Sequence, residues 1–481
     1  MLFTEPVFLF LFLPVLLALY YAPVALGFAG PRWANWLLLA ASIVFYVKGG
    51  GWFTWFILGS IAFNYLSAIL VDRAGRWRNL LLAAAIGVNL LVLGIFKYAN
   101  FFADNANLLL GALGARTLAF PPVLLPIGIS FFTFHAISYV VDVYRGDAKA
   151  QKSPVHAALY LLLFPQLIAG PIIRYRDIAD QLARRTNRFD DFAAGVRRFI
   201  VGLGKKVLIA NTVAAPADKI FAMSPVELTA PHAWLAIVCY TLQIYFDFSG
   251  YSDMAIGLGR MFGFRFPENF RWPYAADTVQ EFWRRWHISL STWFRDYLYV
   301  PLGGSRQAPA RTYANLLTVF FLCGLWHGAS WNFVVWGLFH GTFLVLERLG
   351  LAGQVKRLPA PVRHAYLLMA VMVGWVFFRA DTLVEALAFL KAMAGLSPAG
   401  SRTPLTIGWF LTPDVVLAIL AGIVGSMPVA AAAKRWRAAR LVPESAVGAD
   451  FAVVVALLLV LLGSAVQVAA RSYNPFIYFR F

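Results

Sequence analysis

Long apolar stretches separated by short polar segments recur along the whole chain of 481 residues. A helix that crosses the hydrocarbon core of a bilayer needs about 20 mostly apolar residues. The apolar stretches comprise residues 7–21, 35–47, 52–70, 80–96, 123–141, 156–173, 192–210, 233–248, 316–346, 365–378, 415–433 and 451–470. This pattern predicts an all-α polytopic integral membrane protein with roughly ten to thirteen crossings, the shorter stretches being tilted, re-entrant or interfacial.

No polar linker or low-complexity segment divides the chain, so we expect residues 1–481 to form a single membrane domain. Hydrophobic residues make up 60% of the chain and charged residues 13%, which is about half of the usual charged share. A soluble domain could not cover its surface with so few charges. Intrinsic disorder is excluded by the same composition.

The chain is strongly basic, with 41 Lys and Arg against 23 Asp and Glu and a net charge of +18. In a polytopic protein, basic residues lie in the cytoplasmic loops and face anionic headgroups, so we do not expect nucleic acid as a partner. Arg32 and the three arginines of loop 72–79 predict cytoplasmic loops and an N-terminus on the opposite side of the membrane. No basic residue precedes the first apolar stretch, which we therefore expect to be a retained span and not a cleaved signal.

A second basic segment, residues 174–206, also predicts a cytoplasmic surface. If this segment and residues 145–152 both lie in the cytoplasm, the stretch 156–173 cannot cross the membrane. Pro165 and the Gly170-Pro171 pair interrupt helices. The stretch is therefore predicted to be a re-entrant element buried in protein.

Polar residues become dense between positions 243 and 332. Such groups are costly at membrane depth and usually face a cavity, so chemistry is expected in this region. The segment QIYFDFSGYSDMAIG contains Asp247 and Asp253, and its Ser249-Gly250 pair predicts a break that could line a cavity. The alternative is that the two carboxylates form ion pairs with Arg260, Arg265 or the Arg284–Arg285 pair and hold helices together.

Thr278 and Glu281 fit a capping box, so a helix is predicted to start near Thr278. Within residues 281–299, a 3.6-residue period places His287 in an aromatic stripe opposite a basic face. The stripe comprises Trp283, Trp286, His287, Leu290, Phe294 and Tyr297. The residues alone leave two interpretations open, and they favour an interfacial helix with a packing histidine over a functional histidine.

The segment LCGLWHGASWNF places His327 in a long apolar stretch, between Gly324 and Gly328. The glycines allow a neighbouring backbone to approach closely. A histidine held there is expected to stay uncharged and to act as a base near pH 7, which we favour over a structural histidine bonded to a carbonyl group. On a continuous helix His340 would lie about 220° away, so it is expected at most to support the site.

Several sequence patterns of other enzymes do not occur. The chain has no Walker A motif, which disfavours ATP-driven transport, and no GxSxG nucleophile elbow. It also lacks a His/Cys/carboxylate set with the spacing of metal ligands, so we expect no bound metal.

Five motifs in order resemble the membrane-bound O-acyltransferase family, most closely its bacterial alginate O-acetyltransferase branch. The motifs are FPQLIAGPIIRY (164–175), QIYFDFSGYSDMAIGLG (243–259), EFWRRWHISLSTWFRDYLY (281–299), GLWHGASWNF (324–333) and NPFIYFRF (474–481). The likeness extends from VFLFLFLP near the N-terminus to the last residue.

The resemblance implies a central tunnel with two catalytic histidines, matched here by His327 and, 40 residues earlier, His287. It implies acetyl-CoA as a donor substrate and no permanently bound cofactor, in a bacterial inner membrane. The acceptor would be an exported polysaccharide or a periplasmic relay protein. Further tunnel candidates are Trp326, Asn332, Asp247, Ser249, Trp283, Ser291 and His340, and the basic residues expected to face acyl-CoA are Arg174, Arg284 and Arg285.

The resemblance leaves other acceptors open, because related branches acetylate peptidoglycan or cellulose, or transfer D-alanine to teichoic acid. A transporter of glycan or lipid precursors would also have many spans and a central polar region. Transporters often contain inverted repeats, and we find no matching halves here. A scaffold for periplasmic acetylation proteins is compatible with catalysis.

Overall fold

The computed structural model describes residues 1–27, 30–397, 405–429, 432, 443–470, 473–475 and 477. Throughout these residues the regular structure is helical, without a strand, which confirms the predicted helical class. The chain divides into two compact units. The first unit comprises Met1–Val196 and Ala255–Pro267, and the second comprises Arg197–Met254 and Glu268–Phe481. That residues 1–481 act as a single domain stays a prediction.

The helices of the first part of the chain are long where the sequence is apolar and short where proline or glycine interrupts it. They are α1 (Leu13–Ala25), α2 (Pro31–Gly50), α3 (Phe53–Arg73), α4 (Arg78–Ala112), α5 (Ile129–Arg145), α6 (Pro154–Leu162), α7 (Phe164–Leu167), α8 (Tyr175–Ala183) and α9 (Phe189–Gly204). A π-helical turn, Phe8–Phe12, precedes α1. Helices α3, α4 and α5 pack against one another in the first unit.

The remaining helices are α10 (Asn211–Phe221), α11 (Ala230–Met261), α12 (Val279–Arg285), α13 (Ile288–Phe294), α14 (Pro309–His327), α15 (Trp331–Leu346), α16 (Ala352–Lys356), α17 (Ala360–Arg379), α18 (Leu383–Met393), α19 (Ile407–Phe410), α20 (Pro413–Gly425) and α21 (Pro443–Ala470). The π-helical segment Lys205–Ala210 joins α9 to α10. Within the second unit, α14 and α15 form the most extensive helix pair, and α12, α15 and α17 pack together.

Six helical segments of the described chain are long and apolar enough to cross a bilayer: Phe53–Arg73, Gly75–Ala112, Phe189–Phe221, Trp331–Lys356, Ala360–Arg379 and Asp450–Ala470. Shorter apolar helices cover Phe8–Pro23 and Pro413–Gly425. The number of crossings and the central tunnel stay predictions. Residues 430, 431 and 433 of the predicted stretch 415–433, and residues 476 and 478–481 of the C-terminal motif, lie outside the described residues.

The stretch predicted to re-enter the membrane forms two short buried helices. Helix α6 has 9 residues and α7 has 4, and 9 helical residues extend only about 14 Å, roughly half of the hydrocarbon thickness. Leu163, shortly before Pro165, and residues 168–174, which include the Gly170-Pro171 pair, are not helical, as the prolines led us to expect. Neither helix could cross a bilayer alone.

The predicted break at Ser249-Gly250 is wrong, because α11 runs without interruption from Ala230 to Met261. Gly250 instead allows close packing: a Cβ atom added to it would lie 2.8 Å from the carbonyl oxygen of Gly202. The converse holds for Gly202, where an added Cβ would lie 2.6 Å from the Gly250 oxygen. The two glycines therefore mark a contact between backbones, and the helix stays intact.

The apolar stretch 316–346 is not one helix but a hairpin of α14 and α15, which meet at a non-helical segment, residues 328–330. A Cβ atom on Gly324 would lie 2.2 Å from the oxygen of Phe333, and one on Gly337 would lie 2.3 Å from the oxygen of Phe320. The glycines allow the two helices to approach closely, as expected for Gly324. The hairpin places α15 beside α14 and not beyond it.

Candidate active site

His287 lies at a break between two short helices of the second unit. The oxygen of the Thr278 side chain accepts a hydrogen bond from Glu281 N–H at 3.2 Å and caps α12, which confirms the predicted helix start. The predicted continuation to Tyr299 is wrong, since α12 ends at Arg285 and α13 begins at Ile288. Between them His287 adopts a left-handed conformation, with φ 43° and ψ 53°.

A neighbouring backbone segment explains this break. The N–H of Arg271 donates to the carbonyl oxygen of Arg285 at 3.0 Å, and the N–H of Ile288 donates to the oxygen of Asn269 at 2.9 Å. These hydrogen bonds satisfy backbone groups that a continuous helix would have paired internally. Hydrophobic periodicity cannot reveal that another backbone segment takes over these hydrogen bonds. The aromatic residues have the same spacing in the sequence whether the helix is continuous or broken.

Two buried polar side chains hold the segment on either side of His287. Asn269 Oδ1 accepts hydrogen bonds from Ser289 N–H at 3.1 Å and Ser289 Oγ at 2.9 Å. The carboxylate of Glu347 accepts from the N–H groups of Val279 at 2.7 Å and Gln280 at 2.8 Å, at the N-terminus of α12. Sequence reasoning missed Asn269 and Glu347, although an acidic residue directly after a long apolar stretch was a signal for the latter.

His327 is the last residue of α14 and is 5% exposed. Its imidazole packs against three rings, with centroid distances of 4.8 Å to Trp326, 4.9 Å to Trp336 and 5.2 Å to Phe378. The ring of Trp326 also lies 6.3 Å from that of His287. Trp326 therefore contacts both predicted catalytic histidines, which the structure brings into one aromatic cluster.

His340 joins the same cluster, which corrects the expectation based on a continuous helix. The hairpin returns α15 to α14, so the His340 ring lies 5.2 Å from both Trp336 and Trp283. Trp336 thus contacts both His327 and His340. We call the set His287, His327, His340, Trp283, Trp326 and Trp336 the histidine cluster.

The remaining polar tunnel candidates lie on helices that contribute to the cluster or to its surroundings. Ser249 is buried on α11 next to Phe248, whose ring lies 4.5 Å from His287. Ser291 N–H donates to the His287 carbonyl oxygen at 3.0 Å in the first turn of α13. Asn332 Nδ2 donates to the oxygen of Ala380 at 2.6 Å and fixes the start of α15 to the end of α17.

Asp247 and Asp253 form ion pairs, as predicted by the alternative in which they hold helices together. Their partners, however, are not the predicted arginines. Asp247 pairs with Lys206 at 2.6 Å, and the side chains of both are 2% exposed. Asp253 pairs with Arg198 and Lys205, each at 2.7 Å, and Arg198 also contacts Glu268. The predicted partners Arg260, Arg265, Arg284 and Arg285 are replaced by basic residues of α9 and the following π-helical segment, because α9 packs against α11. The ion-pair cluster, as we call it, comprises Arg198, Lys205, Lys206, Asp247, Asp253 and Glu268.

The last described residues are attached to this cluster. The N–H of Ile477 donates to Asp247 Oδ2 at 2.9 Å, and Lys206 Nζ donates to Asn211 Oδ1 at 2.8 Å and to the carbonyl oxygen of Pro475. The Lys206–Asp247 pair thus has hydrogen bonds as well as charge complementarity, which a buried pair requires.

The three arginines expected to face acyl-CoA differ in availability. In the first unit, Arg174 forms two hydrogen bonds with Asp177, at 2.7 and 3.1 Å. In the second unit, Arg285 is paired with Glu281, whereas Arg284 is exposed and forms no ion pair with another described residue. Local carboxylates therefore already occupy two of the three candidates.

A model of the membrane-bound O-acyltransferase family matches residues 130–379, more than half of the chain. The chain belongs to this family. It is therefore a multi-pass membrane enzyme that transfers an acyl group to a hydroxyl. Family membership also decides between the enzyme and the transporter in favour of the enzyme. All of the histidine cluster lies within the matched range.

Curated relatives cover much or all of the chain. The "Probable alginate O-acetylase AlgI" of Azotobacter vinelandii is 43% identical over 515 aligned residues, which include 100% of both chains. The "Peptidoglycan O-acetyltransferase" of Helicobacter pylori is 37% identical over 82% of this chain and 80% of its own. The "Teichoic acid D-alanyltransferase" of Bacillus subtilis is 30% identical, over 45% of this chain and 58% of its own. The full-length likeness confirms the resemblance to the alginate O-acetyltransferase branch.

Proposed function

We propose that the enzyme transfers acetyl groups from cytoplasmic acetyl-CoA to hydroxyls of an exported, alginate-like polysaccharide, directly or through a periplasmic relay protein. The enzyme would lie in the inner membrane with its N-terminus in the periplasm. The full-length relative named an alginate O-acetylase supports the acetyl group and the polysaccharide. The observation that carries the proposal is the burial of His287 and His327 against one shared ring, Trp326.

In this mechanism His327 acts as the general base. A ring nitrogen of His327 takes the proton from the acceptor hydroxyl as its oxygen attacks the carbonyl carbon of the thioester. The tetrahedral intermediate then expels the thiolate of coenzyme A as the C–S bond breaks. The imidazolium returns the proton to that sulfur, so the products are the O-acetyl ester, free coenzyme A and unchanged His327.

The surrounding side chains would orient the reactants and stabilise the oxyanion. Trp336 and Phe378 enclose the His327 ring and limit its rotation. The indole N–H groups of Trp283 and Trp336 are buried and have no acceptor among the described residues. A buried donor without an acceptor is destabilising by about 1–3 kcal/mol, so a substrate oxygen is a favourable partner. His287 would orient His327 or stabilise the developing charge.

The decisive experiment replaces His327 with alanine. Membrane vesicles that contain the enzyme are supplied with radiolabelled acetyl-CoA and deacetylated alginate, and both polymer acetylation and acetyl-CoA hydrolysis are followed. We expect His327→Ala to lower transfer by about a thousandfold, within the range of general-base catalysis. The control is His364→Ala, a partly exposed histidine on α17 outside the cluster. Wild-type transfer by His327→Ala would refute the assignment.

Peptidoglycan is a second candidate acceptor, favoured by the Helicobacter pylori relative. The two acceptors differ in the sugar that carries the acetylated hydroxyl. Alginate is a uronic-acid polymer, whereas peptidoglycan is an amino-sugar glycan. Parallel assays with alginate, peptidoglycan strands and cellulose oligomers would rank them, with a D-alanyl donor tested beside acetyl-CoA. We expect alginate with acetyl-CoA to give the highest kcat/KM, and a higher value for another pair would reassign the acceptor or donor.

A further inference from the structure

Four arginines line a cavity of about 590 Å³ within the first unit. Arg184 and Arg185 follow the end of α8, and Arg260 and Arg265 lie on either side of the turn that ends α11. The acidic side chain in the lining is Asp191. With four guanidinium groups and one carboxylate, the cavity has an excess of positive charge. We call it the arginine cavity.

Arg185 is fixed in place but keeps unused hydrogen-bonding capacity. Its Nε donates to the carbonyl oxygen of Phe262 at 3.1 Å, and Nη1 donates to Asn35 Oδ1 at 2.5 Å. The guanidinium carbon also lies 4.4 Å from the centroid of the Phe264 ring. The remaining nitrogen, Nη2, is buried and has no partner among the described residues. A preorganised guanidinium with an unused N–H is suited to an anion.

The other arginines of the cavity are incompletely neutralised. Neither Arg184 nor Arg260 forms an ion pair with another described residue, and Arg265 reaches Asp191 only at 3.4 Å, longer than a typical charge-assisted hydrogen bond. The backbone at Arg265 is nevertheless held, because its N–H donates to Gln181 Oε1 at 2.7 Å. Arg174 in the same unit is a contrast, since it is bound to Asp177 at 2.7 Å.

We propose that the arginine cavity binds the phosphate groups of a ligand. The planar guanidinium fork matches phosphate oxygens and stays charged at all accessible pH values. A second cavity of about 750 Å³ shares Pro31 and Ala183 with it and is lined by Arg32, Trp36 and His156, so a ligand longer than a single phosphate has room to extend. Phosphate could come from the nucleotide end of the acyl donor, a possibility that rests on the proposed function, or from an anionic lipid headgroup.

The test measures ligand binding separately from catalysis. Enzyme purified in a neutral detergent is titrated with coenzyme A by calorimetry, and phosphatidylglycerol is compared with phosphatidylcholine by native mass spectrometry. The variant Arg184→Ala/Arg260→Ala is matched by Arg306→Ala/Arg357→Ala, which removes two exposed arginines of the second unit. Asp191→Asn provides the opposite change, since it removes the carboxylate from the lining.

If the phosphates belong to the donor, the double cavity variant weakens coenzyme A binding by about tenfold or more, the matched control does not, and Asp191→Asn strengthens it. If they belong to a lipid, coenzyme A binding is unchanged while the preference for phosphatidylglycerol is lost. Unchanged binding of both ligands overturns the proposal. Absence of acetyl transfer by the wild-type enzyme would refute the proposed function, while these binding results would still decide the phosphate site.

Discussion

Two regions of the second unit contain ionisable side chains that are almost fully buried, but their surroundings are of different kinds. In the ion-pair cluster, Lys206 and Asp247 face each other at 2.6 Å and also bind groups of the C-terminal segment. In the histidine cluster, His327 and His340 are enclosed by indole and phenyl rings. Paired charges hold backbone segments together, whereas the imidazoles lie among aromatic rings, where the proposed function places the reaction. Changes in the first region should therefore lower stability, and changes in the second should lower activity.

The largest effect is expected from Lys206→Met, which leaves the Asp247 carboxylate buried without its cation. Breaking a buried pair in this way costs about 3–5 kcal/mol. The measurement is thermal or denaturant unfolding in detergent, followed by tryptophan fluorescence. The double variant Lys206→Met/Asp247→Leu removes both charges and should recover most of the stability. Equal losses in the single and double variants would show that the charge pairing itself contributes nothing.

The next effect is expected at His287 and concerns activity alone. Asparagine adopts a left-handed conformation more readily than other residues, so His287→Asn should keep the backbone at φ 43° while removing the imidazole. We expect acetyl transfer to fall about a hundredfold, with unchanged unfolding. His287→Ala serves as the comparison and should lose about 1–2 kcal/mol of stability in addition, because of backbone strain. Full activity in His287→Asn would exclude a catalytic imidazole.

An intermediate effect is expected for Glu347→Gln, which should lower both stability and activity. The two carboxylate oxygens accept hydrogen bonds from Val279 N–H, Gln280 N–H and Tyr366 OH. The glutamine amide has only one oxygen that can accept them. Loss of charge-assisted hydrogen bonds at a helix N-terminus should cost about 1–3 kcal/mol. Activity should fall with stability, since α12 leads to His287. A neighbouring exposed change, Arg348→Gln, is the control, and unaltered stability of Glu347→Gln would contradict this role.

The smallest effect is expected for Arg174→Ala. Its bonds to Asp177 are local and partly exposed, and such ion pairs contribute less than about 1 kcal/mol. We expect the affinity for coenzyme A to change less than about twofold, because the guanidinium is already neutralised. Titration of the purified variant measures this. A loss as large as that expected for the arginine cavity would restore Arg174 as a residue that faces the donor.

The sequence predicted the family motifs and the start of α12 better than the geometry of the site. The motifs around His287 and His327, and the cap at Thr278, were readable because they are local in the chain. The break after Arg285 and the partners of Asp247 were not readable, because each depends on a distant segment: residues 269–271 for the former and Lys206 for the latter. Gly250 and Gly324 show the same limit of sequence-based prediction. A glycine in a helix can signal either a break or a close contact, and only the neighbouring backbone decides which.

By itself, the sequence determined that this is an all-helical membrane protein of the membrane-bound O-acyltransferase family, with its polar groups concentrated between residues 243 and 332. These properties follow from the length and composition of apolar stretches and from motifs. Each of these features depends only on residues that are close together in the chain. The tertiary structure alone decided that His340 joins His327 around Trp336, that Asp247 and Asp253 are neutralised by α9 and its π-helical extension, and that four arginines line one cavity. Burial makes an unpaired charge costly wherever it lies, but which partner satisfies it depends on how the helices pack.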